Sequence, residues 1–193
     1  MQVELLHHTP LEVADKAISK CWDKTTDKPD QRMYRVANKF KHSSTIEHIN
    51  YTFDIDGISR ACLQELSRHR MQSLSVKSTR YTLKELKEEG DPLKYLVFTN
   101  NVIIDEANIL QLVKIKEALK LGISNDVVKY MLPEAYKTSL VSTMNMRALQ
   151  NFLSLRTDKA ALKEIRELAH KMYEVLPDTH KFMLKDFVKE EIE

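Results

Sequence analysis

Glycine is scarce in this chain of 193 residues: Gly57, Gly90 and Gly122 are the only three, and they stand far apart. A Walker A loop or a dinucleotide fingerprint needs glycines a few residues from one another, because backbone amides must close around the phosphates. Neither can be built here, so any phosphate must be held by side chains. Cysteine is scarcer still, with Cys21 and Cys62 well separated and no CxxC spacing. That excludes a disulfide scaffold and a cysteine-rich zinc site, and fits a reducing, cytoplasmic setting. The histidines form no ligand pair on a helical face: His42 and His48 are six residues apart in a stretch that reads as extended. His7, His8, His170 and His180 follow no pattern and are expected to be structural or exposed. No metal is expected. Aromatic residues are 7% of the chain, too few to suggest stacking platforms for single strands. No apolar run is long enough to span a bilayer, and the start, MQVELLHHTPLEVADK, has no charged segment leading into an apolar one. Neither a membrane span nor a secretory leader is expected.

With 42% apolar and 30% charged residues, the composition is that of a globular protein, and the length suits one domain over 1–193. The formal charge is +2 with both signs interspersed, so there is no general drive toward nucleic acid and a cationic cluster must act locally. Periodicity predicts a mixture of strands and helices. VELLHHT alternates as a short strand, after which Thr9 is the expected N-cap, and Pro10 the first residue, of a helix through LEVADKAISKCW. RMYRVANKFKH reads as a short helix. Ser43 to Asp56 reads as extended, with Ile49, Tyr51, Phe53 and Ile55 alternating against polar neighbours up to Gly57. Helical spacing returns from Ile58 to about Arg68, and a loop is expected from there to Thr82. IIDEANILQLVKIKEALKLG predicts an amphipathic helix closed by Gly122, and a further helix runs from Ser124 to near Pro133. TSLVSTM is β-prone and leads into the helix NMRALQNFLSLR, and DKAALKEIRELAHKMYEVLP forms a last helix.

The densest chemistry lies in RHRMQSLSVKSTRYT, residues 68–82. Arginine forks bind phosphate or carboxylate, and hydroxyls complete the oxygen shell, so Arg68, Arg70, Ser73, Ser75, Lys77, Ser78 and Arg80 suit an anionic ligand. A solvated basic turn is the plainer alternative, but the density exceeds what capping a helix end requires. A second segment complements it. Arg147, Asn151 and Ser154 fall on one helical stripe, while Leu149, Phe152 and Leu153 fall on the core side.

The pattern Arg68-His69-Arg70, then Ser78, then Arg80-Tyr81 resembles the signature of the flavin-dependent thymidylate synthases. TIEHINYTFDI, KYMLP and NMRALQNFLSLR extend the resemblance in the family's order over most of the chain. The resemblance implies a single α/β domain of α+β type, with a small, mostly antiparallel sheet flanked by helices, and not a Rossmann fold. It implies a homotetramer whose active sites are shared between subunits. It also implies methylation of dUMP to dTMP with bound FAD, methylenetetrahydrofolate as carbon donor and NADPH as reductant. Carried over by position, His42, Ser44, Glu47, Arg68, His69, Arg70, Asn145, Arg147 and Asn151 would border the FAD. Glu65, Arg68, Ser78, Arg80, Lys129 and Arg156 would bind dUMP. The chain departs from the commonest pattern at Ser75, Val76 and Lys77, at Glu65 where glutamine is frequent, and at Lys129 where arginine is; Val76 and Glu65 are read as a compensating pair.

In that reading Arg156 is the catalytic residue, stabilising charge on the pyrimidine ring as its C5 acts as nucleophile. Ser78 binds rather than attacks, since no partner base for it is visible, and neither cysteine stands in a nucleophile setting. An alternative of another class is a nucleotide- or RNA-binding module whose basic loop holds phosphates without chemistry.

Overall fold

The structure, a computed structural model, describes residues 1–88 and 91–189. Four antiparallel strands, β1 (Gln2–His8), β2 (Asn50–Ser59), β3 (Gln72–Val76) and β4 (Lys137–Asn145), form one sheet in the order β1-β2-β4-β3. Helices flank it, so the expected α/β architecture with a small antiparallel sheet holds. Alternation fixes which face is covered: Tyr51, Phe53, Ile55 and Ile58 of β2 are fully buried, whereas Asn50 and Asp56 face solvent. Burying such side chains contributes roughly 1.5–3 kcal/mol each. Their partners come from the helix Met146–Arg156, through Leu149, Phe152 and Leu153, and from the helix Lys163–Glu174, through Ile165, Leu168 and Met172.

A second, smaller apolar cluster lies outside this core. Leu112, Ile115 and Leu119 of the helix Val102–Lys120 close on Leu83, Leu86, Leu96, Val128 and Tyr136. The helix starts on Asn101, whose side chain accepts from the Ile104 amide at 3.3 Å, and ends before Gly122 at φ +81°. That left-handed conformation costs glycine nothing, as the sequence predicts.

Several expectations are corrected. Ser43–His48 is a 3-10 turn and not strand, because Thr45 and Ile46 bury inward and the Ile49 amide bonds back to the Ile46 carbonyl at 3.2 Å. β2 starts only at Asn50 and runs through Gly57 to Ser59, with a register shift between Asp56 and Ile58 and Gly57 at φ +74°. Thr9 caps no helix: its hydroxyl accepts from the Asn50 amide at 3.2 Å, and the first helix runs Glu12–Trp22. The stretch expected as a loop contains β3, where Gln72 and Leu74 turn inward and Ser73 and Ser75 outward. The helix before it is shorter than expected, Arg60–Ser67, and the last long helix starts at Lys163.

Candidate functional site

Two helix ends build the site. Ser59 caps the helix Arg60–Ser67 by accepting from the Cys62 amide at 3.0 Å, and its own amide and hydroxyl donate to the Glu164 carboxylate. The far end of that helix then projects Glu65, Arg68 and His69, and the Gln72 side chain locks the reversal by donating to the Leu66 carbonyl at 2.7 Å. The second helix is set by Asn145, whose side-chain oxygen accepts from the Ala148 amide at 2.9 Å, and by the Met146 amide, which donates to the Ile49 carbonyl at 2.7 Å. Its buried face fixes its rotation, which leaves Arg147, Asn151 and Arg156 toward the first helix end.

Between them lies a cleft of about 1120 Å³. Glu47, Glu65, Arg68, His69, Arg70, Asn145, Arg147, Asn151 and Arg156 all line it, so three separated segments of the chain converge. Glu47 reaches in from the 3-10 turn and pairs with Arg147 at 2.6 Å. Arg156, with its side chain 15% exposed, donates to the Glu65 carboxylate at 2.6 Å and the Glu65 carbonyl at 3.1 Å, and its Nε donates to His69 Nε2 at 2.9 Å. A guanidinium has no lone pair to offer, so His69 Nε2 must be the acceptor and the ring proton lies on Nδ1. Burial first, and then the Arg156 cation, lower the His69 pKa from 6.5 to about 4 against an opposing pull from Glu65, which keeps the ring neutral. Among the described residues, Arg68 and Arg70 enter no ion pair, so their forks are available to a ligand.

The remaining residues implied by the resemblance lie elsewhere. His42 and Ser44 stand exposed on or beside the 3-10 turn that carries Glu47, outside the cleft lining. Ser78, Arg80 and Lys129 belong to the outlying lobe around the second apolar cluster. There Arg80 pairs with Asp126 at 2.7 Å and its carbonyl accepts from the Asn125 side chain at 2.7 Å, which joins their two segments; Lys129 follows at the end of the Asn125–Val128 turn. Glu65 is engaged by Arg156, while Val76 stands in register with Leu140 of β4. Cys62 is fully buried and burial, with Glu164 and Glu65 nearby, pushes its thiol up, so it offers no thiolate. Cys21 is exposed on the first helix, away from the cleft.

Sequence reasoning missed part of the cleft. Met71, Leu155, Ala160 and Ala161 supply apolar wall, and Asp158 pairs with Lys189, whose amide is held by Thr157 Oγ1 at 2.9 Å. Small and apolar residues carry no chemical signal in a sequence, and Lys189 arrives from a tail that periodicity does not place.

Residues 4–180 match the family model described as thymidylate synthase complementing protein. The chain belongs to that family, the flavin-dependent thymidylate synthases. It is 50% identical to the flavin-dependent thymidylate synthase of Campylobacter jejuni strain RM1221, over 100% of both chains. It is 51% identical to that of Wolinella succinogenes, over 95% of this chain and 97% of the relative. A crystal structure of thymidylate synthase X from Helicobacter pylori with FAD and dUMP is similar at a TM-score of 0.93 and 43% identity, covering 98% of this chain and 100% of that one. The C-terminal segment that delivers Lys189 lies beyond the residues the family model matches.

Proposed function

We propose that this chain is an FAD-dependent thymidylate synthase that reductively methylates dUMP to dTMP, with methylenetetrahydrofolate as carbon donor and NADPH as reductant. It works as a single domain over 1–193 in a cytoplasmic homotetramer. The observation that carries the reading is the convergence on one cleft of residues that the resemblance names from three separate segments.

The residues present fit a flavin. The cleft pairs two free arginine forks, Arg68 and Arg70, with an apolar wall of Met71, Ala148 and Leu155, which suits a ligand that is pyrophosphate at one part and planar ring at another. FAD supplies the hydride chemistry that no side chain can. Arg68 and Arg70 hold phosphate oxygens, and His69, Arg147, Asn151 and Glu47 shape the remaining wall. Asn145 commits its side-chain oxygen to the helix cap, which leaves its amide nitrogen for the flavin. Arg156, backed by Glu65, stabilises the negative charge that grows on the pyrimidine as C5 attacks the carbon donor. Ser78, Arg80 and Lys129 hold the nucleotide's phosphate and sugar, and because they lie apart from the cleft of their own chain, they serve the cleft of a neighbouring subunit. His42 and Ser44 act at the flavin edge from the turn that carries Glu47.

Absorbance tests cofactor and substrate together. The purified protein should be yellow with a flavin band, and dUMP should accelerate its oxidation of NADPH. A colourless protein that cannot be reconstituted with FAD, and that binds RNA with a steep salt dependence, would favour the binding-module alternative.

A further inference from the structure

An arginine stabilises developing charge well only if its guanidinium is aimed before the charge appears, since reorganisation during the reaction forfeits the gain. Arginine is a long side chain with large rotamer freedom, so aiming it requires partners. Arg156 has them on three sides. Its Nε donates to His69 Nε2 at 2.9 Å, one terminal nitrogen to the Glu65 carboxylate at 2.6 Å, and the other to the Glu65 carbonyl at 3.1 Å. The last contact is to main chain, so it ties the guanidinium to the helix Arg60–Ser67 as well as to the Glu65 side chain. His69 is fixed in turn: its amide donates to the Leu66 carbonyl at 3.1 Å, and its ring stands edge-on to Phe152 with centroids 5.0 Å apart. Phe152 is buried and precedes Arg156 by one helical turn, so the three side chains brace one another between the two helices.

We propose that Glu65 and His69 are positioning residues that act through Arg156. A guanidinium carries five N–H groups. Three are occupied by Glu65 and His69, and one remains on each terminal nitrogen. Arg156 therefore presents two donors to its ligand, which suits the anionic edge of an enolised pyrimidine and would be lost if the guanidinium turned. Glu65 sets the angle of that fork and neutralises its resting charge. His69 must be the Nδ1–H tautomer to accept from Arg156, so it supplies an acceptor at Nε2 and no general acid there. This inference rests on the reading of Arg156 as the residue that touches the nucleotide ring, and it moves Glu65 from substrate contact to support of one.

The test uses the FAD-loaded enzyme with Glu65→Gln, Glu65→Ala, His69→Gln and His69→Ala, alone and in an Arg156→Lys background. Turnover gives kcat and KM, and perturbation of the flavin spectrum by dUMP gives its Kd. At saturating FAD the alanine variants should lose on the order of tenfold or more in kcat, as expected for a misplaced catalytic group. The glutamine variants keep an acceptor near the original atom and should recover most of that loss. With Lys at 156 the alanine changes should cost little more, because residues that act through one group are not additive with its removal. Equal costs in both backgrounds would overturn the proposal. So would a Glu65→Ala enzyme with raised KM and Kd for dUMP at unchanged kcat, which marks a direct contact, or a His69→Ala enzyme with unchanged kcat at saturating FAD. The clamp is also read without turnover: the Arg156 Nε–H resonance in a nitrogen-15 spectrum should be protected from exchange in the wild type and in His69→Gln, and unprotected in His69→Ala. An unprotected wild-type resonance overturns the clamp, whereas a protected one in an enzyme that does not methylate dUMP overturns the proposed function instead.

Discussion

Burial decides the behaviour of single residues here. His69 and His180 both have pKa values lowered from 6.5 to about 4, by desolvation first and then by Arg156 in one case and His8 in the other. His180 is buried with its Nδ1 2.8 Å from the Tyr51 hydroxyl, whose own ionisation burial pushes up, so the two neutral groups share one hydrogen bond inside the core. In the unfolded chain these rings take up protons once the pH drops below about 6.5. In the fold they do not until about 4, so stability is complete above the upper value and drains away as pH falls across the window. His180→Gln should flatten the dependence of the urea midpoint on pH over that window, measured against wild type. An unchanged slope would remove His180 from this account. The catalytic reading is tested at the same scale. Arg156→Ala should keep its flavin spectrum and lose dUMP methylation, a loss of about 3 kcal/mol or more in transition-state stabilisation; wild-type-like turnover would end the assignment. Cys62→Ala, by contrast, should keep turnover and lose about 1 kcal/mol of stability in denaturant melts, since only a buried sulfur is removed.

The elements show how local sequence aims these residues. Both helices that meet at the cleft begin on a side-chain cap, Ser59 and Asn145, each immediately after a strand of the sheet. The strand end fixes where the helix starts, and the helix phase fixes which residues reach the cleft. Asn145→Ala should cost about 1 kcal/mol of stability through the lost cap, read as a lower midpoint in urea. Asn145→Asp keeps the cap, so a normal midpoint with weakened FAD affinity would isolate the contribution of the amide nitrogen; unchanged FAD affinity would assign Asn145 to capping alone. The polar stripe of the helix Met146–Arg156 was readable from spacing, because Leu149, Phe152 and Leu153 leave it no other direction. β3 was not. In QSLSV only Leu74 and Val76 are large apolar residues, and the strand exists because β4 offers it an edge, with Ser142 donating to the Gln72 side chain at 3.0 Å. The turn at Ser43–His48 reads as strand for the related reason that β-branched residues favour strand until burial of Thr45 and Ile46 turns the chain inward.

For the whole molecule, the division into two apolar clusters matters most. The cleft is built on the main core, whereas Arg80 and Lys129 ride on the lobe packed around Leu112 and Ile115. The proposal that subunits share active sites makes a definite prediction. Arg156→Ala and Arg80→Ala should each be inactive alone, yet subunits mixed at equal amounts under conditions that allow exchange should regain activity. About a quarter of the sites would then combine an intact cleft with an intact Arg80 from a neighbour, as in any assembly where one site draws on two copies. Mixtures that stay inactive would place both residues in the service of one chain. What could be known from the order of amino acids was the inventory: glycines too scattered for a phosphate loop, two cysteines outside any CxxC, the amphipathic helices, and the family signature from Arg68 to Tyr81. Those depend on residue type and near-neighbour spacing, which the linear chain carries in full. The bracing of Arg156 by Glu65 and His69, 91 and 87 residues away in sequence, and the arrival of Lys189 beside Asp158 depend on long-range packing of helices against a common sheet. Distances between such groups are set by the core that forms between them, and no local pattern encodes them.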